Sequence, residues 1–186
     1  MSFLDQLRAF LKKPEPAPAP QPAPANVVNL APAERRQRQR VNARQGTRAL
    51  IIDDSPTIVA ALRKTLQSAG FTTLEALNAE RGLEVAFREQ PDLIFLDIVL
   101  PGMNGFAALR TMRKDPRTLH IPIIMISGNE QATEQFYASR IGADDFMKKP
   151  FSRYEVFARI ERLLDANLAP VRKIPAARPG QDQPGG

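Results

Sequence analysis

The sequence predicts an α/β fold, a doubly wound parallel sheet with helices on both faces, and three observations carry that prediction. Short apolar runs alternate with stretches of helical period between residues 48 and 168. Three of the five runs are apolar at every position, as strands are when both faces of a parallel sheet are covered. Each run is followed by a helix-length segment, and five such βα units require right-handed crossovers.

The first strand is Ala49-Leu50-Ile51-Ile52; a helix follows in which Ile58, Leu62, Thr65, Leu66 and Ala69 share one face. Thr72 to Ala76 is the second strand, and Leu83, Ala86 and Phe87 line its helix. Leu93-Ile94-Phe95-Leu96 is the third; the turn Leu100-Pro101-Gly102-Met103-Asn104-Gly105 leads to a helix striped by Phe106, Leu109 and Met112. Ile123-Ile124-Met125-Ile126 is the fourth, and its helix, around Thr133 to Ile141, has a weaker stripe centred on Phe136. Asp145-Phe146-Met147-Lys148 is the fifth, followed by a helix with Val156, Phe157, Ile160, Leu163 and Leu164 on one side.

The flanks have a different character. Residues 1–13 place Phe3, Leu4, Leu7, Phe10 and Leu11 at helical spacing, an amphipathic helix that would be marginal alone. Alternating prolines from Pro14 to Pro24 favour an extended polyproline spacer reaching about 34 Å. An arginine-rich segment follows, so residues 14–47 are expected to be a disordered linker, and residues 169–186, with Pro175, Pro179 and Pro184, a disordered tail. Basicity belongs to these parts: residues 1–47 hold 8 basic and 3 acidic side chains, whereas residues 48–168 hold 15 and 16. The folding part is therefore near neutral, and the net charge of +6 is no sign of a nucleic-acid-binding domain. With no cysteine and one histidine, His120, thiol chemistry and multi-histidine metal cages are excluded, and His120 is read as a surface residue.

In an open parallel sheet the functional crevice lies beyond the carboxyl ends of the strands. There the sequence places Asp53 and Asp54 after the first strand, Asp97 at the end of the third, Ser127 after the fourth, and Lys149 and Pro150 after the fifth. Asp54 before Ser55-Pro56 could be no more than a helix N-cap, and Asp97 no more than a turn residue. As a set, however, clustered carboxylates repel and require a cation. Oxygen donors with room for water favour Mg²⁺ over zinc or copper.

The segments LIIDDSPT, IFLDIVLPGMNG, IIMISG and KKPF, in this order at the ends of strands 1, 3, 4 and 5, resemble the receiver domain of bacterial two-component response regulators, from about Arg48 to Leu168. The resemblance implies a flavodoxin-like five-stranded sheet of order 2-1-3-4-5. It also implies that Asp97 is the phosphoacceptor, with a histidine kinase or histidine phosphotransfer domain as donor. Asp54, Asp97 and the Val99 carbonyl would be Mg²⁺ ligands, Asp53 would act through metal-bound water, and Lys149 would pair with the phosphoryl oxygens. Ser127 would bond the phosphoryl group beside the small Gly128. Phe146 stands where the family has an inward-turning aromatic, often Tyr, and the Lys149–Pro150 bond would be cis. Lys148 is read as a solvated charge, and Val99 and Asn129 occupy slots that tune phosphoryl lifetime in the family.

The 18 residues after Leu168 are too few for a helix-turn-helix, cyclase or methylesterase output domain, so a stand-alone regulator without an enzyme domain is expected. Its downstream partner would bind the face formed by the fourth helix, fifth strand and fifth helix. DIVLPGMNGF is also similar to stand-alone regulators of type IV pilus twitching motility. A phosphate-independent scaffold is the competing reading, and a nucleic-acid role for the Arg35 to Arg44 cluster lacks interleaved aromatics. A cytoplasmic location is expected, because no run reaches the roughly 18 apolar residues of a membrane span. Residues 1–13 would enter a groove on a partner, or anchor to anionic lipid together with the arginine cluster, or pack on the receiver. Co-sedimentation of residues 1–47 with anionic liposomes separates the first two: recovery with vesicles selects the lipid anchor, and recovery in the supernatant counts against it.

Overall fold

The computed structural model describes residues 42–128 and 141–172. Five parallel strands, β1 (Arg48–Ile52), β2 (Thr72–Ala76), β3 (Leu93–Asp97), β4 (Ile123–Ser127) and β5 (Asp145–Lys148), form one sheet of order β2-β1-β3-β4-β5. Three helices connect them or lead onward: α1 (Pro56–Gln67), α2 (Ala79–Glu89) and α3 (Gly105–Lys114). A closing helix, Arg153–Leu163, follows β5. The expected helix around Thr133, with Phe136 and Asn129, lies outside the described residues, as do residues 1–41 and 173–186. The strands and their order are those that the sequence predicts.

Period-two alternation divides each central strand between two cores. Leu50, Ile52, Ile94, Leu96, Ile123 and Met125 face α2 and α3, meeting Leu83, Ala86, Leu109 and Met112. Ile51, Phe95, Ile124 and Ile126 face α1 and the closing helix, meeting Leu62, Leu66, Val156 and Ile160. This is why β1, β3 and β4 are apolar throughout: each full burial of such a side chain is favourable by about 1.5–3 kcal/mol on either face. The edge strand β2 carries Thr72, Thr73 and Glu75 instead. The predicted helix stripes hold: Leu62 and Leu66 of α1 and Leu109 and Met112 of α3 are buried, with Ile58 and Phe106 partly buried against the same cores. Val59 and Ala108 are buried beside them.

The amino edge of the sheet is fastened by a buried ionic cluster. Arg113, at the end of α3, donates to the carbonyls of Gly142 and Ile121 (both 2.8 Å) and to Asp144 Oδ2 (2.6 Å). Asp144 Oδ2 also accepts the Ile123 N–H at 2.8 Å. The side chains of Arg113 and Asp144 are only 8% and 4% exposed. Packing continues past Leu168: Val171 N–H donates to Leu163 O (2.8 Å), and Arg172 reaches Asp144 Oδ1 (3.3 Å) and Leu119 O (3.1 Å). On the other side Ala43 is buried, and Arg44 N–H donates to Leu168 O at 3.0 Å.

Removing one member of a buried pair strands the other charge. Asp144→Ala should therefore lower stability in urea unfolding by about 3–5 kcal/mol, and the double variant Arg113→Met/Asp144→Leu should recover only part of it, because the Ile123 N–H and the Gly142 and Ile121 carbonyls also lose partners. A loss below about 1 kcal/mol, the scale of a surface pair, would contradict this role.

Candidate functional site

The strand order reverses between β1 and β3, and a crevice opens there at the carboxyl edge. The sheet ladder itself places the chemistry, because it runs one residue beyond the strands. Asp53 N–H donates to Ala76 O of β2 (3.1 Å), Ile98 N–H to Ile126 O of β4 (2.9 Å), and Lys149 N–H to Ser127 O (2.7 Å). Asp53, Asp97 and Lys149 are thus held by rigid neighbours. The Lys149–Pro150 peptide is cis.

Lys149 Nζ lies 2.7 Å from Asp53 Oδ2 and 2.9 Å from Asp97 Oδ2. Asp53 is wholly buried and Asp97 nearly so, whereas Asp54 is exposed at the mouth. Ligand oxygens from the three carboxylates lie within 4.8 Å of one another. Asp54, Asp97, Val99, Gly128 and Lys149 line an open cleft of about 480 Å³. Val99 is 65% exposed, and a Cβ at Gly128 would meet no protein atom, so the cleft stays open beside both. Ser127 is buried at the end of β4, next to Lys148 of β5 in the register. Phe146 is half-buried against the α2/α3 core and is not among the residues lining the cleft. Lys148 and His120 are both exposed.

The capping role open to Asp54 is not taken. Ser55 occupies the N-cap of α1 without a side-chain cap, and Asp53 Oδ1 accepts the Ser55 N–H at 3.0 Å. Asp53 thereby orients the turn that presents Asp54, a role hidden in sequence because either aspartate could reach that amide.

The electrostatics are finely opposed. Two carboxylates at this separation repel by about 3.5 kcal/mol at an effective dielectric constant of about 20. Burial holds the Asp97 carboxyl above its ordinary pKa, with Asp53 adding to the rise; Lys149 and the Val99 N–H pull the other way. For Lys149, burial works against the charge, but Asp53 and Asp97 outweigh it and raise its pKa. Asp53 Oδ2 meets the ammonium as an ion pair but receives no well-directed hydrogen bond. Three carboxylates sharing one ammonium, in an all-oxygen donor set, fit a hard divalent cation such as Mg²⁺.

Gly105 is a site residue that turn propensity alone explains poorly. An added Cβ would stand 2.0 Å from Asp97 O, so α3 must begin with glycine to press against that backbone. Only the three-dimensional approach reveals this, although the glycine itself is plain in the sequence.

Residues 49–161 match the response regulator receiver domain, and the chain belongs to that family. It is 38% identical over 117 residues to the protein PilH of Pseudomonas aeruginosa, covering 63% of this chain and 97% of PilH. The chain spans about half the length of several curated transcriptional regulators that it also matches. Among solved structures, the Vibrio cholerae chemotaxis protein CheY4 is 26% identical with a TM-score of 0.61, covering 64% of this chain and 99% of that one. The receiver domain of the Pseudomonas aeruginosa sensor histidine kinase PA1611, solved with a magnesium ion coordinated in its active site cleft, is also 26% identical. Its TM-score is 0.59, over 63% of this chain and 96% of that one. Family membership brings with it histidine kinases or phosphotransfer domains as the general class of partner. No separate enzyme domain falls within the matched residues.

A group whose folded pKa is raised holds more proton in the folded than in the unfolded state between its two values. Metal-free protein should therefore lose stability relative to Asp97→Asn as pH rises from about 4 through the raised Asp97 value, and run parallel to it above. Urea unfolding in chelator from about pH 4 to about pH 7 measures the difference, and a slope of opposite sign would contradict the assignment.

Proposed function

We propose that this chain is a phosphorylation-controlled receiver that takes a phosphoryl group onto the Asp97 carboxylate from a phosphohistidine. What supports this most strongly is the triangle of Asp53, Asp97 and Lys149 at the switch point of the sheet, with Asp54 at its mouth. An Asp97 oxygen forms a bond to phosphorus as the phosphorus–nitrogen bond breaks, and the imidazole leaves with that electron pair. Lys149, already held at Asp97, pairs with a phosphoryl oxygen as charge gathers there, and the Ser127 hydroxyl donates to another. The residues that would hold Mg²⁺ are Asp54, Asp97 and the Val99 carbonyl, with Asp53 acting through water. When bound, the ion supplies the positive charge that screens the carboxylates from the incoming phosphoryl group. Gly128 leaves the space that group needs.

The output is a changed surface rather than a second reaction, formed by the expected fourth helix, β5 and the closing helix. Phe146 lies on this route: a Phe turns inward without needing a polar partner, unlike the Tyr common in the family. The likeness to PilH, and the resemblance of DIVLPGMNGF to twitching-motility regulators, support a place in pilus or chemotaxis-like signalling. Residues 1–13, carried on a linker that ends before the packed Ala43, give the receiver a separate attachment to a partner or a membrane surface. No helix among the described residues is long and apolar enough to cross a membrane.

Intact-protein mass spectrometry after incubation with acetyl phosphate and Mg²⁺ tests the reading. One labile phosphoryl adduct is expected on the wild type, none on Asp97→Asn or with chelator, and formation about 100-fold slower in Lys149→Ala. If neither acetyl phosphate nor candidate phosphodonor proteins give an adduct, the phosphate-independent scaffold takes its place.

A further inference from the structure

The loop from Ile98 to Asn104 carries Val99 into the cleft, and the structure shows how it is fastened. Its near end is tied by Ile98 N–H to Ile126 O and by Gly105 N–H to Ile98 O, both 2.9 Å. Ile98 and Leu100 are buried on either side of the exposed Val99, so that residue has little freedom to turn. The tip has a different anchor. Glu80, in the first turn of α2, accepts the Met103 N–H on Oε1 at 3.0 Å across 23 residues of sequence. The adjoining Gly102 sits at φ +72°, and a Cβ there would come within 3.0 Å of the same Glu80 oxygen. A side chain at residue 102 would be strained in this left-handed conformation and would crowd the Glu80 carboxylate, so glycine suits the anchored tip.

We infer that Glu80 is a positioning residue for the cation site, holding the tip of the Ile98–Asn104 loop so that Val99 stays in the Asp54/Asp97 cleft, where its carbonyl would serve as a ligand. This rests on the receiver reading above. Glu80 touches neither the cleft nor its carboxylates, and acts only through the loop backbone. A bland role exists for the same residue, since an acidic side chain in a first helical turn favours the α2 dipole. That role would show in stability, whereas a positioning role shows in Mg²⁺ affinity.

The test uses the full chain as wild type, Glu80→Ala and Glu80→Gln, with Mg²⁺ titrated by isothermal calorimetry and thermal unfolding followed in chelator. Loss of one such hydrogen bond should weaken Mg²⁺ binding by about 3- to 10-fold in Glu80→Ala, with little change in the metal-free unfolding temperature. Glu80→Gln keeps an acceptor for the Met103 N–H and should restore most of the affinity. Affinity within about 2-fold of wild type in Glu80→Ala would overturn the inference. So would a loss that Glu80→Gln fails to restore, because the negative charge rather than the loop anchor would then be responsible. Wild-type protein that binds no Mg²⁺ overturns the receiver reading as well, whereas normal wild-type binding with an indifferent Glu80→Ala overturns this inference alone.

Discussion

The pairing of one ammonium with two buried carboxylates is the constraint around which the rest of the molecule is arranged. Lys149 stands between Asp53 and Asp97, each within 3 Å, with Asp97 held above its ordinary pKa by its surroundings. A single positive charge cannot neutralise two negative ones, and Asp54 at the mouth enlarges the deficit. Such a cluster would relax by moving apart if it were carried on loops. It persists here because each member is the next residue of the sheet ladder or ends a strand, and so inherits the rigidity of two packed cores. A divalent cation in the cleft would relieve the crowding of like charges there.

The two edges of the sheet handle charge in opposite ways. At the amino edge Asp144 is surrounded by donors: Arg113, Arg172 and the Ile123 N–H saturate both of its oxygens, and Arg113 in turn satisfies several carbonyls. At the carboxyl edge Asp53 Oδ2 lacks a well-directed donor. A satisfied cluster locks the ends of α3, β4 and β5 together, along with the segment that follows the closing helix. The carboxyl-edge cluster, with one ammonium for three carboxylates, remains short of positive charge. Stability and function are thereby assigned to opposite poles of one sheet, so that a rearrangement around Asp97 need not loosen the base on which it rests.

Much of the fold is legible along the chain because it follows from local periodicity. The apolar runs in β1, β3 and β4 announce a sheet covered on both faces, and Asp53, Asp54, Asp97, Ser127 and Lys149 fall at strand ends where a crevice must lie. The helix faces are legible too, although Val59 and Ala108 join the predicted Ile58 and Phe106 against the cores. Asp54 could equally have been a cap, and only the geometry gives the Ser55 amide to Asp53. Arg172 lies in a stretch whose composition reads as tail, yet it reaches Asp144 across 28 residues. Glu80 and Met103 are similarly invisible as a pair, because the contact exists only once the loop after β3 meets the first turn of α2.

Alone, the sequence determined the order of strands and helices, the layered architecture and the chemical identity of the carboxyl-edge residues. All of these rest on short-range patterning of hydrophobic and charged side chains, which acts wherever the chain is. The tertiary structure decided which oxygen faces which cation, which glycine must lack a side chain for α3 to touch Asp97, and which distant carboxylate holds the loop beside it. Those choices depend on distances of a few tenths of an ångström between segments far apart in the chain. Close packing fixes such distances collectively, so no residue type and no spacing encodes them singly.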